Sequence, residues 1–161
     1  MNPYLARIIG LLGERDPLAC LADTPQQLEA LLPRLEPERS YAPGKWTARE
    51  ILCHLADTEL AMGFRFRQTL AQDNHTVQPF DQDAWAVRYG GLPMGLAYET
   101  FKALRAWNLA LLRGLSEEDL ERTYYHPERE EWESLRMLLR FVAGHDLNHL
   151  GQLERIAEEA R

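Results

Sequence analysis

The chain has 161 residues, of which 45% are hydrophobic and 27% charged, and its formal net charge is −7. This composition is typical of one folded globular domain over residues 1–161 and excludes an intrinsically disordered chain. The acidic balance, without any cluster of lysine or arginine, argues against nucleic acid as a partner.

The sequence also argues against a membrane protein or a secreted one. No apolar run approaches the ~18 residues that a membrane helix requires. The N-terminal residues lack the apolar length and the small-residue cleavage site of a signal peptide. Cys20 and Cys53 lie far apart and form no CxxC motif, so we expect two reduced thiols. We therefore predict a cytoplasmic protein.

The first two helices are predicted from their end signals. Residues 3–13 predict a short helix. Thr24 is predicted as the N-cap of the second helix, and Pro25 as its first helical residue. Gln27 completes a capping box with Thr24. We expect this second helix to run to about residue 35.

The clearest helix start in the chain is the capping box from Thr47 to Glu50. It predicts a long helix that ends at about Ala71. Trp46 precedes the N-cap and is expected to pack on Ile51 as a hydrophobic staple.

Two long connections and two further long helices follow. Residues 72–93 contain Pro79 and Gly90 and predict a crossover with a short helix within 81–89. The next helix is predicted from Leu96 to Arg113. Residues 115–133 predict an irregular connection with a capped turn at Ser116, and the last helix is predicted from Ser134 to about Glu158. Strand signals are weak throughout, so the pattern indicates an all-α helical bundle.

The last helix carries two histidines on its apolar side. His145 and His149 are four residues apart, so they point in the same direction and fall within the stripe that holds Leu138, Val142 and Leu153. Two buried imidazoles without partners are costly, and they repel each other when charged. A divalent metal satisfies both groups, because neutral imidazole is a good ligand for zinc, nickel, copper or iron.

A third histidine can join this pair. His54 lies at the edge of the apolar face of the helix that starts at Thr47, so it too can point inward. Three histidines from two helices can form a metal site that keeps positions open for water or substrate. A hydrogen-bonded group of core histidines without metal fits the same pattern and stays an alternative.

Several neighbours can support such a site. Thr58, Asp146 and Asn148 can orient a ligand, and Asp57 or Glu59 can add a carboxylate as a fourth ligand or a general base. The other two histidines, His75 and His126, lie in predicted connections, and we expect both on the surface.

The two histidine segments carry a resemblance to a known family. Residues 46–59, WTAREILCHLADTE, and residues 144–153, GHDLNHLGQL, resemble the second and last helices of the DinB-like (YfiT-like) candidate metalloenzymes. Residues 79–85, PFDQDAW, are similar to the segment between the second and third helices of that family. The resemblance covers about residues 25–158.

The resemblance implies a four-helix bundle of up-down-down-up topology with a long crossover connection, and it implies frequent homodimers. It further implies that His54, His145 and His149 bind a divalent metal ion, which we expect to be zinc or nickel. Some members of the wider superfamily are thiol-dependent transferases, so a low-molecular-weight thiol is a second cofactor to consider.

Three functions therefore stay open at this stage. The first is a metal-dependent transferase that adds a thiol to an electrophile; the second is a metal-dependent hydrolase acting on a small-molecule substrate. The third is a metal-binding or stress-response bundle that acts through a protein partner without catalysis. Arg65, Arg67 and Arg88 are the available contacts for a thiol's carboxylates, although surface positions are expected for them. Four aromatic residues can line a pocket, fill the core or form dimer contacts: Phe80, Trp85, Tyr89 and Trp107.

Overall fold

The structure is a computed structural model that describes residues 1–159. Its α-helices are α1 (Pro3–Leu12), α2 (Pro17–Leu31), α3 (Ala48–Ala71), α4 (Gln82–Ala86), α5 (Met94–Leu112), α6 (Glu117–Leu120) and α7 (Leu135–Glu159), and one turn of 3₁₀-helix (Leu32–Arg34) follows α2. Three short strands lie between the long helices: β1 (His75–Thr76), β2 (Thr123–His126) and β3 (Glu131–Ser134).

The four helices α2, α3, α5 and α7 form a bundle with an apolar cluster at each end. One cluster joins the C-terminal halves of α2 and α7 to the N-terminal halves of α3 and α5. The other joins the opposite halves of the same helices. The helices therefore run up, down, down and up, with α2 and α3 each packed on both α5 and α7. The predicted all-α four-helix bundle is confirmed.

The start of α3 follows from its capping box. The Thr47 side chain accepts a hydrogen bond from the Glu50 backbone N–H at 3.2 Å, and the Glu50 carboxylate accepts one from the Thr47 N–H at 2.7 Å. The predicted end at Ala71 is also observed. This helix contains His54, so the capping box determines the position of that residue along the bundle axis.

The predicted start of α2 is wrong. The helix begins earlier, at Pro17, because Asp16 caps it by accepting a hydrogen bond from the Ala19 N–H. Pro25 lies inside the helix and has no N–H to give to the Leu21 carbonyl four residues before it. The guanidinium of Arg105 on α5 donates to that carbonyl at 2.9 Å instead. A hydrogen bond from another helix thus satisfies the Leu21 carbonyl, which proline at position 25 would otherwise leave without a partner.

A small sheet, which the sequence analysis did not predict, links the two long connections. Strand β1 pairs with β2 in parallel, and β2 pairs with β3 in antiparallel orientation. Each strand has only two to four residues, too few for alternation to stand out. The predicted surface positions of His75 and His126 are wrong for this reason: both are buried on these strands, with exposed fractions of 8% and 4%.

Helix α1 packs on α7 at a glycine. A Cβ atom placed on Gly144 would lie 2.0 Å from the Ile8 carbonyl oxygen, so this contact requires the absence of a side chain. Gly144 immediately precedes His145, and the close approach holds α1 beside the histidine segment of α7.

We expect Gly144→Ala to lower the free energy of unfolding by about 1–3 kcal/mol, because backbone must shift to admit the methyl group. Gly151→Ala on the same helix is the matched control, since a Cβ there meets nothing within 4 Å. That change is expected to stabilise the protein by about 0.5–1 kcal/mol through helix propensity. Equal urea midpoints for the two variants would contradict the tight α1–α7 contact.

Candidate metal centre

Three histidines meet in the middle of the bundle. His54 comes from α3, and His145 and His149 come from successive turns of α7, which packs beside α3. Their exposed fractions are 2%, 4% and 6%. The inward orientation predicted from the apolar stripes is confirmed.

The three rings point their Nε2 atoms toward one another. The Nε2 atom of His145 lies 2.9 Å from Nε2 of His54 and 3.1 Å from Nε2 of His149. One nitrogen from each ring can be chosen so that all three lie within 4.8 Å of one another. Two nitrogens that share a tetrahedral zinc ion at about 2.0–2.1 Å each lie about 3.4 Å apart, so this donor set fits a divalent ion.

Burial keeps these imidazoles neutral. It is the main cause that lowers the pKa of His54 to about 3, with repulsion from His149 as a second cause. Burial likewise lowers the pKa of His149 to about 4 and holds that of His145 well below its usual value. At neutral pH each ring therefore has an unprotonated nitrogen available as a ligand.

Gln152 and Trp46 hold the rings in place. The Nδ1 atom of His149 lies 2.8 Å from Oε1 of Gln152. Because an amide oxygen only accepts, Nδ1 carries the proton, and the unprotonated Nε2 faces the cluster as a possible metal ligand. The Trp46 ring lies 4.7 Å from the ring of His54 and stacks on that of His149 at 6.3 Å. The residue expected as a staple thus also covers the histidines.

The suggested carboxylate ligands are placed elsewhere. Asp57 accepts a hydrogen bond from the Tyr89 hydroxyl at 2.7 Å, and Glu59 is paired with Arg105. Neither belongs to the group of possible ligand atoms formed by the three histidines. Of the other suggested neighbours, Thr58 lies nearest, with its hydroxyl 3.4 Å from the His54 ring, and Asn148 lines a cavity together with His149.

Two cavities flank the cluster. One of about 120 Å³ contains His54 and His145 in its wall, and one of about 270 Å³ contains His149. Tyr4 and Gln82 line both, so the two spaces adjoin. Of the aromatic residues considered for a pocket, Phe80 lines the smaller cavity, whereas Trp107 is exposed to solvent.

Comparison with known proteins identifies the family. The family model of the DinB superfamily matches residues 20–153, which include all three histidines. The chain belongs to the DinB superfamily.

Two curated relatives of this DinB protein bear the same description. A candidate metal-dependent hydrolase of Oceanobacillus iheyensis is 30% identical over 142 residues, which cover 86% of this chain and 82% of the relative. Another, from Bacillus pumilus, is 30% identical over 140 residues, which cover 84% and 80% of the two chains.

A solved structure supports the fold. YfiT from Bacillus subtilis, described as a candidate metal-dependent hydrolase with an unusual four-helix bundle topology, matches with a TM-score of 0.84. The match covers 89% of this chain and 85% of YfiT at 23% sequence identity. At that identity the match shows only that this DinB protein and YfiT have the same fold.

A buried ionic network, which the sequence analysis missed, lies next to the histidines. Arg105 on α5 is 1% exposed and binds Glu59 of α3 and Asp146 of α7, at 2.7 and 2.6 Å. The Thr24 hydroxyl of α2 donates to Asp146 at 2.6 Å, and Asn108 donates to Glu59 at 2.9 Å. All four bundle helices therefore meet at one guanidinium. Because Asp146 follows His145 directly, the network also holds the histidine segment.

The sequence contains a signal for this network. Phe101, Arg105 and Leu109 are spaced four residues apart, and Asn108 and Leu112 fall on the same face of α5. An arginine and an asparagine within an apolar stripe predict buried polar groups that need partners. The identity of those partners depends on which helices are neighbours.

His126 makes stability depend on pH. Burial, followed by repulsion from Arg129, lowers the pKa of this histidine to about 4. The unfolded chain takes up a proton near pH 6.5, whereas the folded protein does so only near pH 4. The contribution of neutral His126 to the unfolding free energy is therefore complete above pH 6.5 and is lost as the pH falls toward 4.

We expect His126→Gln to remove this part of the acid sensitivity. Between pH 7 and pH 5 the wild type should lose about 2 kcal/mol more unfolding free energy than the variant, by linkage. Urea denaturation at several pH values measures the difference. Parallel pH profiles for the two proteins would contradict a neutral, buried His126.

Proposed function

We propose that this DinB protein is a metal-dependent hydrolase whose single divalent ion is held by His54, His145 and His149. The observation that carries the proposal is the convergence of three buried Nε2 atoms, with separations of 2.9 and 3.1 Å along the cluster. The names of the relatives, candidate metal-dependent hydrolases, support the reaction class.

The residues of the chain prepare the site for that chemistry. A divalent ion in such a site supplies a Lewis acid, which polarises a carbonyl or phosphoryl oxygen and lowers the pKa of water. Burial keeps the three imidazoles unprotonated, and Gln152 fixes the His149 ring with its Nε2 toward the cluster. Trp46 lies beside two of the rings, those of His54 and His149.

We propose zinc or nickel as the ion. Neutral imidazole suits both, and a set of three nitrogen donors leaves at least one position for a ligand from outside the protein. No carboxylate of residues 1–159 joins the cluster, which disfavours the oxygen-preferring ions magnesium and calcium.

The hydrolase is preferred to the two other functions that the sequence left open. A thiol-dependent transferase needs groups that bind the thiol's carboxylates. Of the three arginines considered for this, Arg67 is bonded to Asn108 at 2.7 Å and Arg88 is exposed, so Arg65 alone is left for such a carboxylate. A stress-response bundle without catalysis does not require cavities beside the histidines.

Location and assembly are also proposals. Free thiols at Cys20 and Cys53 support a reducing, cytoplasmic compartment. None of the helices in residues 1–159 has an apolar stretch long enough to cross a bilayer. We further propose a homodimer, because Leu96 and Trp107 expose apolar surface on α5 that a second copy would cover.

The test is hydrolysis by purified protein before and after chelation. A panel of p-nitrophenyl esters and phosphate esters is assayed with wild type, chelated protein, and chelated protein supplied again with zinc or nickel. We expect chelation to abolish turnover, the returning ion to restore it, and His54→Ala to stay inactive under all conditions. Turnover that persists without metal would overturn the mechanism.

A further inference from the structure

Arg65 of α3 is a buried cation without an ionic partner. Its exposed fraction is 8%, and it forms no ion pair with any carboxylate of residues 1–159. The guanidinium donates one long hydrogen bond, of 3.4 Å, to the Gln78 carbonyl. The Tyr124 hydroxyl is a second acceptor, and the centre of the Tyr124 ring lies 5.8 Å away. A buried guanidinium with so few acceptors is costly, so the position favours an anion.

The neighbouring charges compensate Arg65 only in part, through Glu133. Glu133 is the nearest buried carboxylate group in this region, and it is occupied by Arg129 at 2.7 Å and by the Tyr124 hydroxyl at 2.7 Å. Glu128 also lines the cavity, but it is exposed and its charge is screened by solvent. Arg65 and Arg129 thus share one buried carboxylate, which leaves one of the two positive charges for a monoanion such as a carboxylate.

Arg65 also lies between the histidines and a wide groove on the protein surface. Together with Phe80 it lines both the 120 Å³ cavity that contains His54 and His145 and a groove of about 790 Å³. Five further apolar side chains line the groove beside polar ones: Leu60, Ala61, Phe64, Val77 and Trp85. A groove of this size is within the ~300–1,000 Å³ typical of small-molecule sites.

We infer that Arg65 binds the carboxylate of an amphipathic substrate whose apolar part occupies the groove. The cation then fixes the charged group beside the histidine cluster, and Phe64 and Trp85 contact the apolar part. The role of this ligand as a substrate rests on the proposed hydrolase. Its binding at Arg65 and in the groove does not itself require a metal.

The experiment compares two ligands with the same apolar chain, one with a charged head group and one with a neutral head group. Binding of octanoate and octanamide to chelated protein is measured by displacement of 8-anilinonaphthalene-1-sulfonate, a fluorescent apolar anion. We expect octanoate to bind wild type at least about tenfold more tightly than octanamide, as for a charge-assisted hydrogen bond of about 1.5 kcal/mol or more. Arg65→Gln should remove this preference, and Arg65→Lys should keep part of it.

Two further variants control the test. Arg88→Gln removes the same charge from an exposed residue near Trp85 and is expected to leave the octanoate preference unchanged. Phe64→Asp changes a residue that is 68% exposed, so the fold should tolerate it. The negative charge that Phe64→Asp adds to the groove should weaken octanoate binding about tenfold. This variant tests the inference independently if Arg65→Gln does not fold.

Three results would overturn the inference. One is equal affinity for octanoate and octanamide in wild type. Another is octanoate binding that is absent from chelated protein and appears equally in wild type and Arg65→Gln when zinc is added back, which would place the carboxylate on the metal and leave the proposed hydrolase intact. The third is a dimeric wild type that becomes monomeric with Phe64→Asp, because a second copy would then cover the groove.

Discussion

Arg105→Met should lower the free energy of unfolding by about 3–5 kcal/mol, the cost of breaking a buried ion pair from one side. The substitution leaves Glu59 and Asp146, both 2% exposed, without their main hydrogen-bond donor. It also leaves the Leu21 carbonyl, freed by Pro25, without a partner. Urea denaturation of the wild type and the variant measures the effect.

Arg136→Met is the matched control. Arg136 also binds two carboxylates, those of Glu117 and Glu121, but its side chain is 44% exposed. Exposed ion pairs contribute at most about 1 kcal/mol, so this variant should remain close to the wild type. If Arg105→Met were as stable as Arg136→Met, the buried network would not hold the four helices together.

A divalent ion should stabilise the folded protein strongly through the three histidines. Zinc present at a thousandfold excess over its dissociation constant is expected to add about 4 kcal/mol to the unfolding free energy of chelated protein, by mass action. His145→Ala should abolish the effect, because it removes the ligand whose Nε2 lies closest to both others.

His75→Ala is the control for this second prediction. His75 is also a buried histidine, but it lies on β1 and bonds to the Gln72 carbonyl, outside the cluster. This variant should retain the full zinc-dependent shift in thermal denaturation. A shift of equal size in His145→Ala would mean that zinc binds elsewhere.

Local sequence signals predicted much of the bundle. The Thr47–Glu50 capping box gave the start of α3, and the apolar stripe of α7 gave the inward direction of His145 and His149. Both signals act within one or two helical turns, where the chain determines its own geometry. The convergence of the three Nε2 atoms depends in addition on how α3 packs against α7.

Features that depend on distant residues were not predicted. The start of α2 was misplaced because Thr24-Pro25 imitates a helix start, and only Arg105, 80 residues further along the chain, makes Pro25 acceptable inside the helix. The partners of Arg105 lie 46 and 41 residues away. Strand β1 has two residues, and its pairing with β2 joins His75 to Tyr124. Periodicity in one segment carries no information on such contacts.

The metal content of the purified, untagged protein tests the central claim most directly. Elemental analysis by mass spectrometry would compare the wild type with His54→Ala and His149→Ala, each checked for helix content by circular dichroism. We expect close to one zinc or nickel ion per chain in the wild type and almost none in either variant. A folded wild type that stays metal-free after incubation with divalent ions, or variants that keep their metal, would contradict the three-histidine site.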